Sequence, residues 1–198
     1  MGFHNFLTIS MAVSQLARDR SAMGTRRLLV LDLDETLIFA SMFRLPMVPD
    51  FTLGLAQAVR RPGLDAFLEL CLSLFQVAVW TSATDEYASE AMAHLLPPDA
   101  SLAFMWSRQM CQRATDPVQG DQYWIKDTCL LAESGYALES LLVVDDEPRS
   151  WASCRDRLLR VPKFRGDPED RALIRLLPAL AEAAVAPDLP AFLRQLSW

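Results

Sequence analysis

The sequence predicts an α/β protein in which a mostly parallel β-sheet is flanked by helices. Three aliphatic runs of strand length, at positions 28–33, 76–82 and 141–148, are typical of strands that are buried on both faces. Segments with apolar residues at helical spacing separate these runs. Because strands that alternate with helices form parallel sheets, this order favours one central sheet with helices on both of its faces.

The remaining elements follow in chain order. Pro62-Gly63 opens a segment with helical spacing that leads into the second strand. Four further elements complete the alternation, namely a helix at 85–96, a strand at 158–162 and helices at 170–184 and 187–196. Positions 99–122 do not fit this alternation. We therefore interpret that stretch as a small insertion, with a short strand at 102–106.

The chain divides into three segments on this interpretation: an N-terminal extension at 1–26, one domain at 27–184 and a C-terminal helical tail at 185–198. The apolar stretch at 6–13 is too short to cross a membrane, and no basic segment precedes it as in a secretory signal. We therefore expect no membrane span and an intracellular location, either cytoplasmic or nuclear.

Charge and cysteine usage exclude several classes of protein. The formal net charge of -6 argues against direct nucleic-acid binding, which requires a basic face. The four cysteines are widely scattered, and no pair has the CxxC spacing of a zinc site. A reducing compartment is the expectation for such a chain.

Polar residues stand where the three buried strands end. The first run ends in Asp32 and Asp34, the second ends in Thr81-Ser82, and the third ends in Asp145-Asp146. In open parallel sheets, ligands bind at the carboxyl ends of the strands, so these residues are expected to meet at one edge. Solvated loop acids would explain any one pair, but three coincidences at the same edge indicate a binding or catalytic site.

Phosphoryl transfer is the chemistry that these residue types fit. A carboxylate can attack a phosphate monoester only if their mutual repulsion is cancelled, and a divalent cation together with a lysine can do this. Asp32, Asp34 and Asp146 could supply oxygen ligands to Mg²⁺. One carboxylate can then act as nucleophile and a second as general acid and base. The hydroxyls of Thr36 and Thr81 are expected to donate to phosphate oxygens.

Lysine usage singles out one further residue. The chain uses arginine almost everywhere, and its two lysines are Lys126 and Lys163. A compact ammonium suits a point charge at a phosphate, so Lys126 is a candidate for that role. By contrast, we expect Arg60, Arg61 and Arg149 to be solvated charges.

Six segments in order resemble the haloacid dehalogenase (HAD) superfamily, and more narrowly the FCP/SCP group of small C-terminal-domain phosphatases. The segments are DLDETL, RRPGLDAFLEL, VWTSATDEYA, IKDTCLL, VVDDEPRSW and VPKFRGDPEDRALIRLLPAL. The resemblance covers about 27–180 and implies a Rossmann-like HAD fold with a short flap and no large cap. It also implies a phosphoserine or phosphothreonine phosphatase.

The resemblance implies a role for each matched residue. Asp32 is the expected nucleophile and a metal ligand, and Asp34 is the general acid and base and binds the metal through its backbone carbonyl. The remaining residues with an implied role are Thr81 and Lys126 at the phosphoryl group, Asp146 as a metal ligand, Asp145 as a support for a metal-bound water or Lys126, and Arg108 as a substrate-binding residue. Thr36 and Ser82 are further candidates for substrate binding.

The substrate depends on how open the site is. The stretch between Asp34 and Arg61 is short, so we expect it to lack the hairpin of longer family members. An open site suits a phosphorylated protein or peptide, because superfamily members that act on small molecules usually enclose them. A phosphatase for a small metabolite or nucleotide is an alternative, and a catalytically silent binding module is another.

Overall fold

A computed structural model describes residues 26–196 and shows a five-stranded parallel sheet. Its strands are β1 (Leu28–Leu31), β5 (Gln76–Trp80), β6 (Met105–Trp106), β9 (Leu141–Asp145) and β10 (Leu158–Arg160). Their order across the sheet is β10-β9-β1-β5-β6. Both neighbours of β1 pair with it in parallel. The α/β class with a central parallel sheet is therefore confirmed.

Five α-helices accompany the sheet in the described part of the chain. They are α1 (Leu64–Leu74), α2 (Asp85–Leu95), α3 (Cys129–Glu133), α4 (Ala172–Val185) and α5 (Leu189–Gln195). Alternate residues of β1 serve two cores, because Leu29 and Leu31 pack into one cluster and Leu28 and Val30 into another. This burial on both faces is why β1 is a continuous aliphatic run.

Gly63 shows why one predicted motif contains glycine. Its φ is 83°, in the left-handed region, and a Cβ built there would lie 2.5 Å from Cγ1 of Ile174. The residue therefore permits both the sharp turn into α1 and the close packing of α1 against α4.

The segment between β1 and α1 forms a second sheet, which corresponds to the predicted short flap. This flap consists of β2 (Ile38–Ser41), β3 (Phe51–Leu53) and β4 (Ala56–Arg60), paired antiparallel in the order β2-β4-β3. Its strands have only three to five residues, and Gly54 makes the tight β3–β4 turn at a φ of 56°. Such short strands leave a weak pattern in the sequence.

The predicted insertion splits into two structural parts. Its first part supplies β6, which pairs in parallel with β5 at the edge of the main sheet. Its second part forms an antiparallel hairpin of β7 (Gln112–Thr115) and β8 (Gln122–Ile125). We call this pair the insertion hairpin, and it leads directly to Lys126.

The predicted terminal segments are covered unequally. Positions 1–25 of the N-terminal extension and 197–198 of the tail lie outside the described residues, while α5 occupies half of the tail. Within positions 26–196, no helix has both the length and the apolar character needed to cross a bilayer.

Candidate active site

The polar residues predicted at the strand ends come together in one cleft. Asp32 directly follows β1, Asp145 ends β9, and a cleft of about 470 Å³ is lined by these residues together with Asp34, Lys126 and Asp146. The N–H of Asp32 still donates to the carbonyl of Val144 in β9, and the side chains of Asp32 and Asp34 both line the cleft. The acidic cluster therefore lies at the carboxyl ends of the strands, which is the edge of the sheet that the sequence predicts.

Lys126 lies between two aspartates at the floor of the cleft. Its Nζ is 2.7 Å from Oδ1 of Asp32 and 2.6 Å from Oδ2 of Asp145. The side chain is buried, and burial alone would lower the pKa of this ammonium, but the two carboxylates outweigh burial and raise it. Lys126 is therefore a permanently charged point of attraction for an anion.

Asp145 is fixed by three donors. Besides Lys126, the indole Nε1 of Trp151 donates to Oδ2 at 2.7 Å, and the backbone N–H of Glu147 donates to Oδ1 at 2.8 Å. Both oxygens are therefore occupied, and the residue is placed to hold Lys126. The sequence analysis missed Trp151, although it lies within the matched VVDDEPRSW segment.

The two aspartates of the first motif differ in their partners. Burial and the neighbouring charge of Asp145 raise the pKa of Asp32, while Lys126 opposes that shift. Oδ1 of Asp32 accepts from Lys126, and no described residue donates to its Oδ2. Burial also raises the pKa of Asp34, and the hydroxyl of Tyr87 donates to its Oδ1 at 2.5 Å. Tyr87 is a second residue that the sequence analysis missed.

Thr36 has a different partner from the one expected. The sequence predicts its hydroxyl as a donor to a phosphate oxygen, whereas in the structure it donates to Oδ1 of Asp146 at 2.9 Å and is fully buried. Its single hydrogen is committed to this bond, so Thr36 orients Asp146 and does not line the cleft.

The second lysine of the chain also belongs to the site. Nζ of Lys163 lies 3.2 Å from Oδ2 of Asp146 and 2.9 Å from Oε2 of Glu35, whose Oε1 pairs with Arg165 at 2.8 Å. Glu35 has a φ of 61°, and its carbonyl accepts from the N–H of Phe164 at 2.7 Å. The segment around Lys163 therefore holds the strained turn that carries the first motif.

Arg61 is buried, which corrects our expectation of a solvated charge. Its guanidinium makes a bidentate pair with Asp170, with both N–O distances at 2.9 Å. It also donates to the carbonyls of Thr36 at 3.1 Å and Pro162 at 2.8 Å, and it lies over the ring of Phe164. Arg61 thus links the turn after β1 to the segment after β10.

Arg149 is partly exposed but is not a free solvated charge. It pairs with Glu147 at 2.9 Å, and on the insertion hairpin it contacts Asp121 at 2.9 Å and the face of Tyr123 at 4.9 Å. This network holds the insertion hairpin against the loop that follows β9. Tyr123 is thereby fixed as part of the cleft wall.

The remaining predicted substrate residues lie around the end of β5. Thr81 is buried, and its Oγ1 accepts from the N–H of Ala83 at 3.1 Å, which leaves its hydrogen available. Ser82 lines the cleft. Arg108 donates through Nε to the carbonyl of Ser82 at 2.6 Å and stacks over Trp124 at 5.4 Å, outside the cleft wall itself.

The donor set fits a hard divalent cation. Carboxylate oxygens of Asp32, Asp145 and Asp146 lie within 4.8 Å of one another, and all three residues are buried. Uncompensated buried carboxylates are costly, so a bound cation would stabilise this cluster. Asp145 belongs to the group by distance, but three donors hold its oxygens. Oδ2 of Asp32 has no donor among the described residues, and Oδ2 of Asp146 faces only the half-exposed Lys163 at 3.2 Å, so Asp32 and Asp146 are the better candidates for metal ligands.

This fold and these side chains define a class of protein, namely the HAD-type phosphatases of the FCP/SCP group. Comparison with known proteins agrees: the NLI interacting factor-like phosphatase family matches residues 27–190. The chain belongs to that family.

Individual relatives support the same family. CTD nuclear envelope phosphatase 1B of Danio rerio is 30% identical over 185 residues, covering 86% of this chain and 72% of the relative. Phosphatase PSR1 of Saccharomyces cerevisiae is 27% identical over 180 residues, covering 87% of this chain but 39% of the relative. A solved structure of a fission yeast RNA polymerase II CTD phosphatase Fcp1 variant has a TM-score of 0.52 at 19% identity, over 89% of this chain and 54% of that one. That last likeness supports the fold alone.

Proposed function

We propose that this protein is a Mg²⁺-dependent phosphomonoester hydrolase that works through an aspartyl-phosphate and acts on phosphoserine or phosphothreonine in proteins. One observation carries the proposal. Lys126 donates to one carboxylate oxygen of Asp32, and the other oxygen has no partner among the described residues. Because Asp32 lines the cleft, this second oxygen is available to react with a substrate there. A catalytically silent module would have no use for a carboxylate held in this way.

Asp32 is the nucleophile in the first step. Its free oxygen forms a bond to phosphorus as the bond between phosphorus and the serine or threonine oxygen breaks. Asp34, whose pKa is raised by burial, gives its proton to the departing oxygen. Lys126 and the hydroxyl of Thr81 are the candidates to hold the phosphoryl oxygens. Ser82 in the cleft wall and Arg108, which donates to the carbonyl of Ser82 from outside that wall, are candidates to contact the substrate.

The second step returns the enzyme to its starting state. Asp34, now a carboxylate, takes a proton from a water molecule that attacks phosphorus. The bond between phosphorus and the Asp32 oxygen then breaks and inorganic phosphate leaves. Asp145 keeps Lys126 in place through both steps by its 2.6 Å contact.

Asp32, Asp146 and the backbone carbonyl of Asp34 are the groups that would hold Mg²⁺. When bound, the ion supplies positive charge against the repulsion between a phosphate and the attacking carboxylate. Thr36 fixes one oxygen of Asp146 for this purpose, and Lys163 contacts the other.

A protein substrate is favoured over a small metabolite by the surroundings of the cleft. Small-molecule sites usually bury most of their ligand. Here the flap exposes Met42, Phe43 and Val48, which are 67%, 83% and 88% accessible, and Phe39 of the same flap lines the cleft. An extended peptide could lie along such a surface, whereas a small metabolite could not reach it. The names of the relatives, which include a nuclear envelope phosphatase, support an intracellular place of action.

The test uses purified protein with MgCl₂, a panel of phosphoserine and phosphothreonine peptides, and a panel of sugar and nucleotide phosphates. We expect turnover of the peptides and complete loss of turnover in Asp32→Asn, with the circular dichroism spectrum unchanged. Much faster turnover of the metabolites would favour the alternative substrate class. Substantial activity in Asp32→Asn would exclude Asp32 as the nucleophile.

A further inference from the structure

The hydroxyl of Tyr87 reaches Asp34 from a position that is fixed by helix packing. It lies in the first turn of α2, whose N-terminus is capped by Thr84. The same helix buries Ala88, Ala91 and Met92 in the larger core cluster, and the ring of Tyr87 packs against that cluster. The position of the Tyr87 hydroxyl is therefore set by the packing of α2 and not by a mobile loop.

The contact that Tyr87 makes is specific. Its hydroxyl lies 2.5 Å from Oδ1 of Asp34, across 53 positions of sequence. The phenolic O–H of Tyr87 is a donor and the carboxylate oxygen of Asp34 is an acceptor, so Tyr87 donates this hydrogen bond. No other side chain among the described residues donates to the Asp34 carboxylate.

A general acid works only if its proton is aimed at the departing oxygen. The carboxyl group of an aspartate can rotate about χ1 and χ2. In most of its rotamers the acidic proton would not reach the departing oxygen of the substrate. A bond from Tyr87 to Oδ1 selects one orientation and leaves Oδ2 as the oxygen that exchanges the proton. Because Tyr87 does not itself line the cleft, it acts through Asp34 and not on the substrate.

We propose that Tyr87 is a positioning residue that orients Asp34 for proton transfer to the leaving oxygen of the substrate. This inference rests on the proposed function, because it presupposes that Asp34 is the general acid. It adds Tyr87 of α2 to a site that otherwise consists of the aspartates at the strand ends and Lys126.

The test compares substrates that need a proton with substrates that do not. A serine alkoxide is a poor leaving group and requires the acid, whereas 4-nitrophenolate departs unprotonated. The ratio kcat/KM reports the steps up to the departure of the leaving group. General acid catalysis contributes about 10²–10⁴-fold, so in Tyr87→Phe we expect kcat/KM for a phosphoserine peptide to fall by at least about tenfold. For 4-nitrophenyl phosphate we expect a fall of less than about threefold.

Two matched variants make the result interpretable. Tyr136→Phe removes another tyrosine hydroxyl, one that donates to the carbonyl of Ala103 at 3.4 Å, and should leave both substrates unchanged. Asp34→Asn should show the same preference for the good leaving group in a stronger form. In the double variant Asp34→Asn/Tyr87→Phe, the loss of the Tyr87 hydroxyl should add nothing, because both changes remove one function.

The outcomes separate the inference from the function on which it rests. If the wild-type protein hydrolyses no phosphate ester, or if Asp34→Asn slows both substrates equally, the proposed function or the role of Asp34 fails. If those results are as expected but Tyr87→Phe slows both substrates equally, or slows neither, the positioning role is overturned. An additive loss in the double variant would overturn it as well, and this comparison holds even if the single variant is less stable.

Discussion

Replacing Arg61 by methionine should destabilise the protein strongly, because the side chain is fully buried and has four hydrogen bonds to other parts of the chain. Breaking a buried ion pair by removing one partner typically costs about 3–5 kcal/mol. Asp170 is 16% exposed at its side chain and can be partly rehydrated, which reduces the cost. The carbonyls of Thr36 and Pro162 lose their donor, which adds to it, since each unsatisfied group costs about 1–3 kcal/mol.

We therefore expect Arg61→Met to lower the free energy of unfolding by about 3–4 kcal/mol, measured by urea denaturation and circular dichroism. At roughly 2–4 °C per kcal/mol for a domain of this size, the thermal midpoint should fall by about 6–16 °C. Arg61→Lys should restore little, because an ammonium cannot make the bidentate pair.

Arg60→Met is the matched control. The neighbouring arginine pairs with Asp65, whose side chain is 83% exposed, and such surface pairs contribute less than about 1 kcal/mol. If Arg61→Met and Arg60→Met lowered the stability by similar small amounts, the argument that Arg61 organises the buried junction would be wrong.

Three further predictions concern the site and its supports. Adding MgCl₂ should raise the thermal midpoint of the wild-type protein and should have little effect on Asp146→Ala; an equal rise in both would place the ion elsewhere. Burial would raise the pKa of Asp170, but the bond and charge of Arg61, the N–H of Ala172 and the charge of Arg175 together outweigh burial and lower that pKa in the folded state. Its stabilising contribution is therefore present above the unfolded value of about 4 and is lost as the pH falls through the folded pKa, so acid unfolding should be less steep in Asp170→Asn. Arg149→Met should raise the KM for phosphopeptides more than it lowers kcat, as its contacts hold the wall at Tyr123; a fall in kcat alone would count against this.

The sequence was sufficient to predict the sheet edge and most of the residues at it. Buried strands are continuous aliphatic runs in the sequence, and the polar residues that end such runs are costly to bury in the core. Asp32, Asp34 and Asp145 could therefore be assigned to the edge of the sheet without coordinates. Composition and the surrounding pattern singled out Lys126, whereas Lys163 had no predicted role, although it also lies in the cleft.

What could not be predicted depends on contacts between distant segments. Nothing near Arg61 in the sequence indicates that Asp170 lies beside it, so a charged residue after a strand was assigned to solvent. Tyr87 has an ordinary helical context, and only the arrangement of α2 over the sheet edge brings it to Asp34. A signal for it did exist, because the first turn of a helix that follows a sheet strand necessarily lies above the same edge.

The contacts of the turn after β1 fix the order in which the site can be completed. Glu35, in its left-handed conformation, is held by the N–H of Phe164, and Lys163 and Arg165 hold its carboxylate. Asp32 and Asp34, the aspartates proposed to carry the chemistry, are among the first residues of the domain to leave the ribosome, but the residues that hold their turn are synthesised more than 120 positions later. A chain that ends before position 163 would have both aspartates but none of the contacts that hold Glu35, so the proposed site would be completed only late in the synthesis of the domain.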